Sequence, residues 1–359
     1  MADSKQAPLD SAAAAKAAFA SVQDKPFPDD IFTAPELRWA VIGCGVIANQ
    51  MAQSLALAGR KLAGVANRTL SKAQAFAEQY GVEKVYDTVE DLYADPDIDA
   101  VYITTPHNTH ITYLRAALAA GKHVLCEKAI TLNSAELEEA RAIAAEHNVV
   151  LMDATTVLHM PLYQELRRRM DAGEFGRMNL AQLNFGSYKE YGDLTNRFYN
   201  RNLAGGAMLD IGVYALSVMR LFMASQPVEV VSLGNTCETG VDVAGGIVCR
   251  NAEQQLGVVS LTLHSKQPKR SVISFDKCYI EVNEYPRADH ATIVWTVDGH
   301  REEIHAGTEA YALCYEMADL EKAVAGDDSK RELLDYASDV MELMTKLRAD
   351  WGVVYPEEE

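Results

Sequence analysis

The chain of 359 residues is long enough for two domains, each with its own hydrophobic core. Its apolar content of 48% and charged content of 23% are those of a globular protein, and no apolar run approaches the roughly 20 residues of a membrane span. The formal net charge of −18 argues against nucleic acids and anionic membranes as partners, because proteins bind those surfaces with clustered lysine and arginine. Six scattered cysteines form no C-x-x-C pair, so we expect reduced thiols, a cytoplasmic location, no disulfide framework and no metal site.

Residues 1–36 form an extension ahead of the first predicted strand. This segment lacks the basic start and long apolar core of a secretory signal. The pattern predicts a short helix over 11–22 and a proline-containing tether over 25–35. An expression tag or an arm that binds a partner is the alternative.

Short apolar strands alternate with helices over the next segment, 37–155. We predict strands at 39–42, 62–66, 84–86, 100–103, 123–126 and 149–152, and helices at 48–58, 71–80 (with Ser71 as N-cap), 108–120 and 134–145, with a helical turn at 89–93. Repeated βα units predict an α/β dinucleotide-binding domain of the Rossmann type, with a doubly wound, mostly parallel sheet and helices on both faces.

The pattern changes near residue 155. After a helix near 162–170 we predict extended segments at 178–185, 228–233, 245–249, 257–263, 271–275, 278–282 and 292–297, then helices at 310–323 and 331–349. Residues 156–359 are therefore predicted to form a second, β-rich domain with an antiparallel sheet flanked by helices.

A glycine turn connects the first predicted strand to the first helix of the Rossmann domain. Gly43 permits a tight turn, Gly45 lets the backbone approach a pyrophosphate, and Ala48 allows close packing of the helix on the sheet. The helix N-terminus at Val46 and Ile47 faces the phosphates. The strand–turn–helix context favours a dinucleotide site over a mere tight turn.

The second strand ends at Asn67 and Arg68, where an NAD-selective site has an acidic residue for the ribose hydroxyls. An asparagine followed by an arginine can bind a 2′-phosphate, so we expect NADP, with NAD or dual use left open. The alternative is a solvated arginine in a loop.

Three further segments follow strand ends or share a helix face. Thr105 and Pro106 end a strand at the carboxyl edge of the sheet, where ligands bind. His107 and His110 lie just beyond it, and we expect them to line the cofactor groove or cap a helix rather than to bind a metal ion.

Glu127 and Lys128 also follow a strand, which suits proton transfer or substrate binding, although a surface ion pair is equally compatible with the spacing. Asp210 and Tyr214 lie four residues apart, on one face if this segment is helical; a helix cap and a core tyrosine are the alternative.

Taken in order, these motifs resemble the glucose–fructose oxidoreductase/inositol dehydrogenase/rhizopine catabolism (Gfo/Idh/MocA) family. The similarity covers the glycine turn, Thr105–Pro106 with His110, residues 121–128 and the Gly205–Gly206 segment with Asp-x-Gly-x-Tyr at 210–214. The ending over 347–356 is most similar to the dihydrodiol dehydrogenase-type branch.

The resemblance implies a Rossmann domain followed, over 156–359, by an α+β domain with a large, open, mostly antiparallel sheet. This second domain is expected to serve substrate binding and oligomerisation, here as a homodimer or homotetramer through its sheet. It also implies roles for individual residues. Those expected to be catalytic are Lys128, Asp210 and Tyr214. Those expected to bind the cofactor are Gly43, Gly45, Val46, Ile47, Asn67, Arg68, Thr105, Pro106, Asn108, His110, Glu127 and Lys128. Those expected to contact substrate are Lys128, His159, Arg197, Asp210 and Tyr214.

Two departures from the family pattern affect these expectations. Ala129 stands where relatives have the proline of Glu-Lys-Pro, and a non-proline cis peptide costs roughly 3 kcal/mol, so we expect a trans turn and a slightly displaced Lys128. Leu158 and His159 stand where relatives have an Arg-Phe pair, so the substrate contacts of relatives are not carried over.

These features predict an NAD(P)-dependent oxidoreductase that interconverts a secondary alcohol and a ketone on a sugar, cyclitol or related polyol. Tyr214 is expected to exchange the hydroxyl proton, Lys128 to favour the phenolate, and Asp210 to orient Lys128. One alternative is a glycosidase or sugar–sugar oxidoreductase that retains its cofactor. Another is a non-enzymatic regulator that binds a sugar or the cofactor.

Overall fold

The computed structural model describes residues 11–22 and 25–359. Residues 1–10, 23 and 24 of the predicted extension lie outside the described part. The predicted helix α1 spans Ser11–Val22. Beyond it, the tether packs on the body of the protein, where the ring of Phe27 lies 4.9 Å from that of Tyr311 and the guanidinium of Arg60 lies 4.0 Å from the ring of Phe32. The tether is therefore part of this chain's own packing.

The first sheet has six parallel strands in the order β3-β2-β1-β4-β5-β6. Its strands are β1 Trp39–Ile42, β2 Gly64–Ala66, β3 Lys84–Tyr86, β4 Ala100–Ile103, β5 His123–Cys126 and β6 Leu151–Asp153. The order reverses between β1 and β4, and ligands bind at such switch points, beyond the carboxyl ends of the strands. Most of these strands are buried along their whole length, as expected where helices cover both faces.

The helices of this region are α2 Val46–Leu57, α3 Leu70–Tyr80, α4 Val89–Ala94, α5 His110–Ala119 and α6 Ser134–Glu146. Several predicted helix boundaries differ by one or two residues: α2 begins at Val46 instead of residue 48, and α3 begins at Leu70, with Thr69 rather than Ser71 at its N-cap. The Thr69 backbone is extended, so the helix starts one residue earlier than the polar pattern indicated. A short 3₁₀ turn, His107–Thr109, precedes α5.

The second sheet has eight strands in the order β14-β13-β12-β11-β7-β10-β9-β8. Its strands are β7 Met178–Gly186, β8 Pro227–Thr236, β9 Asp242–Asn251, β10 Leu256–Thr262, β11 Gln267–Phe275, β12 Cys278–Asn283, β13 His290–Trp295 and β14 Arg301–His305. Neighbouring strands are antiparallel except β7 and β10, which run parallel. The mostly antiparallel sheet is confirmed; the sequence pattern did not indicate β14, whose exposed, charged residues hide its alternation.

The remaining helices are α7 Pro161–Asp171, α8 Val213–Phe222, α9 Ala312–Val324, α10 Asp328–Arg331 and α11 Leu333–Asp350. The stretch Arg201–Phe222 is long and apolar enough to cross a membrane by length and composition, but 83% of its most apolar window is buried inside the protein. Such burial is that of a core helix. Although α9 follows the second sheet, Leu313, Met317 and Leu320 pack in one core with β1 and α2. Chain order and spatial packing therefore differ for α9.

Candidate active site

The loop between β1 and α2 is shaped as the glycine pattern predicts. Gly43 has φ +99°, and a side chain there would place its first carbon 2.8 Å from the Thr104 hydroxyl, so only glycine fits without strain. Among the described residues, no atom other than those of Gly45 and its chain neighbours lies within 4 Å of the corresponding position at Gly45, and Val46 is 67% exposed. No side chain in this part of the chain caps the start of α2. The first amides of this helix are thus open to an anion, which fits the pyrophosphate of a dinucleotide.

The end of β2 carries the residues expected to contact the ribose of the cofactor. Asn67 donates its side-chain amide to the Thr69 carbonyl at 3.0 Å, while Arg68 is exposed. Lys72, one turn into α3, is close enough to the Cys44 thiol to act on its ionisation: burial raises the pKa of that thiol to about 11, and Lys72 opposes the rise. Two cations, Arg68 and Lys72, therefore flank this end of the loop. The sequence reasoning missed Lys72, although its position one turn after Arg68 in an N-terminal helical turn was a usable signal.

The segment after β4 has two kinds of residue. Thr105 and Pro106 lie at the strand's carboxyl end, with Thr105 half-buried and Pro106 exposed. His110 is fully buried, and its Nε2 lies 2.8 Å from the Thr105 carbonyl while its Nδ1 lies 3.0 Å from the Ala129 carbonyl. His110 therefore connects the two turns instead of reaching into a groove, and its predicted direct contact with the cofactor does not fit this geometry.

The Asn108 side chain, which was predicted to bind the cofactor, contacts residues of the C-terminal half of the chain. Its side-chain amide donates to the Asn202 carbonyl at 3.2 Å and to Glu357 at 2.7 Å. Both partners belong to the C-terminal half of the chain, so this side chain joins the two domains. The neighbouring His107 lies near Lys128, and burial lowers the pKa of its imidazole to about 3, with adjacent cationic groups acting in the same direction. His107 is a neutral ring at the edge of the site.

The turn after β5 carries Glu127, Lys128 and Ala129. Tyr102 donates its hydroxyl to Glu127 Oε1, and the Lys128 amide donates to Glu127 Oε2 at 3.3 Å. The Lys128–Ala129 peptide is cis, so the expected trans turn is wrong. The Ala129 side chain is fully buried and its carbonyl faces His110, so the surroundings of this turn, and not only the residue type, fix its geometry.

Lys128, Asp210 and Tyr214 come together at this turn. The Lys128 ammonium donates to the Asp210 main-chain carbonyl at 2.7 Å, lies 3.4 Å from Asp210 Oδ1, and stands 4.8 Å from the centre of the Tyr214 ring. Only 13% of the Lys128 side chain and 12% of the Asp210 side chain are exposed. The alternative of a surface ion pair between Glu127 and Lys128 does not describe this turn, because Lys128 forms a largely buried pair with Asp210.

The local backbone explains how Asp210 reaches Lys128. Met208–Gly212 forms one turn of π-helix ahead of α8, and such turns widen the helix where a side chain must be redirected. Asp242 accepts the Met208 amide, and Gly206, at φ +126°, has no room for a side chain against Asp242. A glycine pair followed by an acid was the available sequence signal, but the π-turn itself has none.

The charges in this cluster are set by neighbours as well as by burial. Burial opposes ionisation of Asp210, but Lys128 and Arg197 outweigh it and hold the pKa of the carboxyl well below its usual range. Burial also opposes the charge on Lys128, yet Tyr214 and Asp210 raise the pKa of its ammonium. Burial raises the pKa of the Tyr214 phenol, with Lys128 acting against the rise. At neutral pH the cluster is therefore an ion pair beside a neutral phenol.

Arg197 joins the cluster and His159 does not. Arg197 Nη2 lies 3.4 Å from Asp210 Oδ1, and 59% of its side chain is exposed. The His159 side chain is fully buried, with Nδ1 3.1 Å from Asp319 Oδ2 and Nε2 2.8 Å from the Asp153 carbonyl. Both ring nitrogens are thus engaged inside the protein, which argues against the predicted substrate contact.

Two family profiles match the chain. An oxidoreductase family profile, with an NAD-binding Rossmann fold, matches residues 37–155, and a GFO/IDH/MocA C-terminal domain profile matches residues 163–281. The chain belongs to the Gfo/Idh/MocA family of oxidoreductases. The predicted family, the two-part fold and the NAD-binding domain are confirmed.

Curated Gfo/Idh/MocA relatives include trans-1,2-dihydrobenzene-1,2-diol dehydrogenases. The mouse (Mus musculus) protein is 31% identical over 273 residues, which cover 74% of this chain and 79% of the relative, and the pig (Sus scrofa) protein is 27% identical over 340 residues, which cover 90% and 99%. The predicted similarity to the dihydrodiol dehydrogenase-type branch is confirmed.

Solved structures agree on the fold. A 3-ketoreductase from Actinomadura kijaniata, in complex with NADP and TDP-benzene, is 25% identical with a TM-score of 0.75, and the match covers 88% of this chain and 98% of that one. A levoglucosan dehydrogenase in complex with NADH and levoglucosan is 20% identical, with a TM-score of 0.76 and coverage of 87% and 97%. Family members with this fold thus bind either NADP or NADH.

Proposed function

We propose that this protein catalyses the NAD(P)-dependent interconversion of a secondary alcohol and a ketone on a sugar, cyclitol or related polyol. The observation that carries the proposal is the Lys128 ammonium, held between the Asp210 carboxylate and the Tyr214 ring at the carboxyl edge of a dinucleotide-binding sheet. The levoglucosan bound to the levoglucosan dehydrogenase of the same fold supports a polyhydroxylated substrate.

Tyr214 is the proposed proton-transfer residue. Its hydroxyl has no hydrogen-bond partner among the described residues, so it is free to meet a substrate oxygen. Held at the turn from Gly43 to Val46, a nicotinamide cofactor would supply the acceptor or donor of the hydride exchanged with the substrate carbon. In the oxidation direction the alcohol proton passes to the Tyr214 phenolate as the carbonyl forms, and in reduction the phenol returns that proton to the oxygen.

Lys128 and Asp210 prepare this proton transfer. The ammonium of Lys128 favours the phenolate and donates to the substrate oxygen, while Asp210 fixes the lysine through two contacts. Because the pKa of the Tyr214 phenol is raised, reduction proceeds from the form that prevails at neutral pH. Oxidation needs the phenolate and should therefore accelerate as the pH rises into the alkaline range.

We also propose that NADP is preferred over NAD. Arg68 is exposed at the end of β2, where no carboxylate follows to repel a 2′-phosphate, and Lys72 adds a second cation on the same side. A thermal-shift series of the protein with NADP and with NAD would measure this preference, since the tighter ligand raises the melting temperature more at equal concentration.

The replacement Lys128→Met tests the proposed mechanism. We expect turnover to fall by roughly a hundredfold or more, with the dissociation constant of the cofactor nearly unchanged. Because Lys128→Met leaves the buried Asp210 carboxylate with Arg197 but without Lys128, the double variant Lys128→Met/Asp210→Asn serves as the control for folding. Unchanged turnover in Lys128→Met would remove the lysine from the mechanism.

We further propose that two copies of the chain associate through the outer face of the second sheet. Val231 pairs with Val248 across β8 and β9, and Val248 pairs with Val258 across β9 and β10, which forms an apolar row. Val231 is 75% exposed, and the neighbouring Leu233 is 83% exposed. Exposed apolar rows of this kind mark interaction surfaces.

Light scattering after size-exclusion chromatography tests this association. The parent chain should elute with the mass of a dimer or tetramer, and Val231→Glu should lower that mass. The matched control is Val297→Glu, which changes an exposed valine in the turn between β13 and β14. A monomeric parent would contradict the proposal.

A further inference from the structure

Lys189 is a cation of the site that no sequence motif indicated. It lies three residues after the end of β7, half-buried. Its amide donates to the Leu263 carbonyl at 2.8 Å, and its carbonyl accepts the Tyr199 hydroxyl at 2.9 Å. The backbone of Lys189 is thus fixed on both sides. Within the described residues its ammonium makes no ion pair or hydrogen bond and instead lies 4.2 Å from the centre of the Phe198 ring.

Arg197 shares that ring. The carbon of its guanidinium also lies 4.2 Å from the centre of the Phe198 ring. A cation above an aromatic ring is stabilised, but two cations on one ring repel each other. An anion that contacts both cations would offset this repulsion.

The charge balance of the site points the same way. Lys128 and Arg197 both approach the same oxygen of Asp210, at 3.4 Å each, so this carboxylate is already shared when Lys189 is added. Burial and the neighbouring cations lower the pKa of the Lys189 ammonium, with Asp210 acting in the opposite direction. Positive charge has accumulated here in a chain whose net charge is −18.

The main chain that carries Arg197 is held by close packing, although its side chain is largely exposed. A side chain at Gly205 would place its first carbon 2.6 Å from the Arg197 carbonyl and 2.7 Å from the Phe198 carbonyl. The Gly206 amide donates to the Phe198 carbonyl at 2.9 Å. The segment that carries Arg197 therefore packs tightly on the glycine pair that leads into the Asp210 turn.

We propose that the substrate of this site carries an anionic group, a carboxylate or a phosphate, which binds between Lys189 and Arg197 while its hydroxyl carbon lies beside Lys128 and Tyr214. This inference rests on the proposed function and narrows it to anionic sugars and polyols. Arginine and lysine both bind carboxylates and phosphates through charge-assisted hydrogen bonds, so the shared chemistry is the negative charge. An anion here also balances the unpaired charge of Lys189.

The experiment is a panel of matched compounds on the NADP-bound protein. A hexose, a pentose and a cyclitol are each tested in neutral, carboxylate and phosphate forms, and both the shift in melting temperature and the turnover are recorded. We expect one anionic form to bind at least roughly tenfold more tightly than its neutral counterpart. The preferred form distinguishes a sugar acid from a sugar phosphate.

Variants assign the effect to the cluster. Lys189→Met should weaken binding of the preferred anionic compound by roughly ten- to a hundredfold, and Lys189→Arg should restore much of the loss. Lys266→Met is the matched control, because it removes one charge from an exposed lysine outside the cluster and should leave affinity unchanged.

Each result of these experiments either supports or overturns the inference that the substrate is anionic. Preferred binding of neutral compounds, equal effects of Lys189→Met on charged and neutral compounds, or no binding of any anionic compound would overturn the inference. Turnover of neutral polyols in the first two cases would leave the proposed oxidoreductase function standing. Anion binding that depends on Lys189 but without any turnover would support the inference and count against the proposed function.

Discussion

The cofactor side and the substrate side of this site are built in different ways. The cofactor side is one continuous turn of backbone, from Gly43 to Val46, whose shape depends on missing side chains and free amides. The substrate side is assembled from charged side chains of three distant segments, carried by Lys128, Arg197 and Asp210. A short sequence motif determines the backbone shape of the turn, whereas the balance of buried charges depends on residues from the whole fold.

Because the two sides are built separately, changes to them should affect different measured quantities. A change on the substrate side should alter catalysis without altering cofactor affinity, and a change on the cofactor side should do the reverse. Variants that violate this separation would show that the two sides are coupled.

The largest effect is expected for Tyr214→Phe. This change removes the hydroxyl proposed to exchange the proton. It keeps the aromatic ring, whose centre lies 6.1 Å from the centre of the Phe185 ring. We expect turnover to fall by roughly 10²- to 10⁴-fold, which is the usual contribution of a general acid or base. Steady-state kinetics and a cofactor titration measure the two quantities separately.

A matched control for this change is Tyr188→Phe, on an exposed tyrosine. Its turnover should equal that of the parent. If Tyr214→Phe keeps full turnover, the proton is carried by another group; if it weakens cofactor binding as strongly as turnover, the separation of the two sides fails.

The next largest effect concerns the cofactor side. Arg68→Glu replaces the exposed cation at the end of β2 with a carboxylate. We expect the dissociation constant of NADP to rise by roughly ten- to a hundredfold, because a charge-assisted bond to the 2′-phosphate is lost and repulsion is added. The dissociation constant of NAD should change little.

Isothermal titration with both cofactors measures this prediction, and Arg301→Glu, on the distant strand β14, is the control. A parallel loss of NAD and NADP affinity would indicate a damaged loop instead of a lost phosphate contact. Unchanged NADP affinity would show that Arg68 is a solvated loop residue.

The two sides also differ in how far the sequence predicted them. The strand–turn–helix pattern around Gly43 and Gly45 was enough to place the dinucleotide loop, because local backbone geometry follows from local sequence. The order of βα units likewise predicted the parallel sheet, since right-handed crossovers leave few alternatives. The bounds of several helices and strands, among them the start of α3, differ by a few residues; the strand β14 was missed, and the trans turn expected at Lys128–Ala129 was wrong.

On the substrate side the sequence named Lys128, Asp210 and Tyr214 through a family resemblance but could not give their charges. It assigned His159 a substrate contact, whereas the structure directs both ring nitrogens of His159 to protein acceptors. It missed Lys189, because a single lysine after a strand carries no periodic signal. Burial and long-range partners determine such roles, and neither can be read from spacing.

A smaller effect is expected for Gly205→Ala, which tests whether the substrate side depends on backbone packing. The added methyl group would lie 2.6 Å from the Arg197 carbonyl and must push that segment away. We expect the KM of the substrate to rise by about tenfold with a smaller change in kcat, since the displaced Arg197 would bind the substrate less well while Lys128 and Tyr214 keep their positions.

Gly192→Ala is the control, because no atom lies within 4 Å of the corresponding position in the same loop. Its KM should match that of the parent. Should Gly205→Ala instead lower kcat and leave KM unchanged, the glycine would position the catalytic turn and not the binding segment.

The smallest effect compares two buried carboxylates, Asp153 at the end of β6 and Asp210. Burial raises the pKa of Asp153 to about 6, with the Thr155 hydroxyl opposing the rise, while the cations around Asp210 hold its pKa below the usual range despite burial. Between a pH of about 4 and about 6 the folded state therefore binds more protons at Asp153 than the unfolded state does. Its contribution to the free energy of unfolding falls as pH rises through that window and stays low above it.

The change Asp153→Asn should remove this pH-dependent loss in the free energy of unfolding. We expect the melting temperature of the variant to equal that of the parent below a pH of about 4 and to exceed it by about 2 °C above a pH of about 6, since part of the gain is offset by a weaker bond to Thr155. Asp210→Asn should have the opposite sign at neutral pH, because it removes a carboxylate whose charged form the fold stabilises. Melting curves across this pH range would contradict the comparison if both variants moved in the same direction, since the two sites would then respond to burial alone and not to the cations that surround one of them.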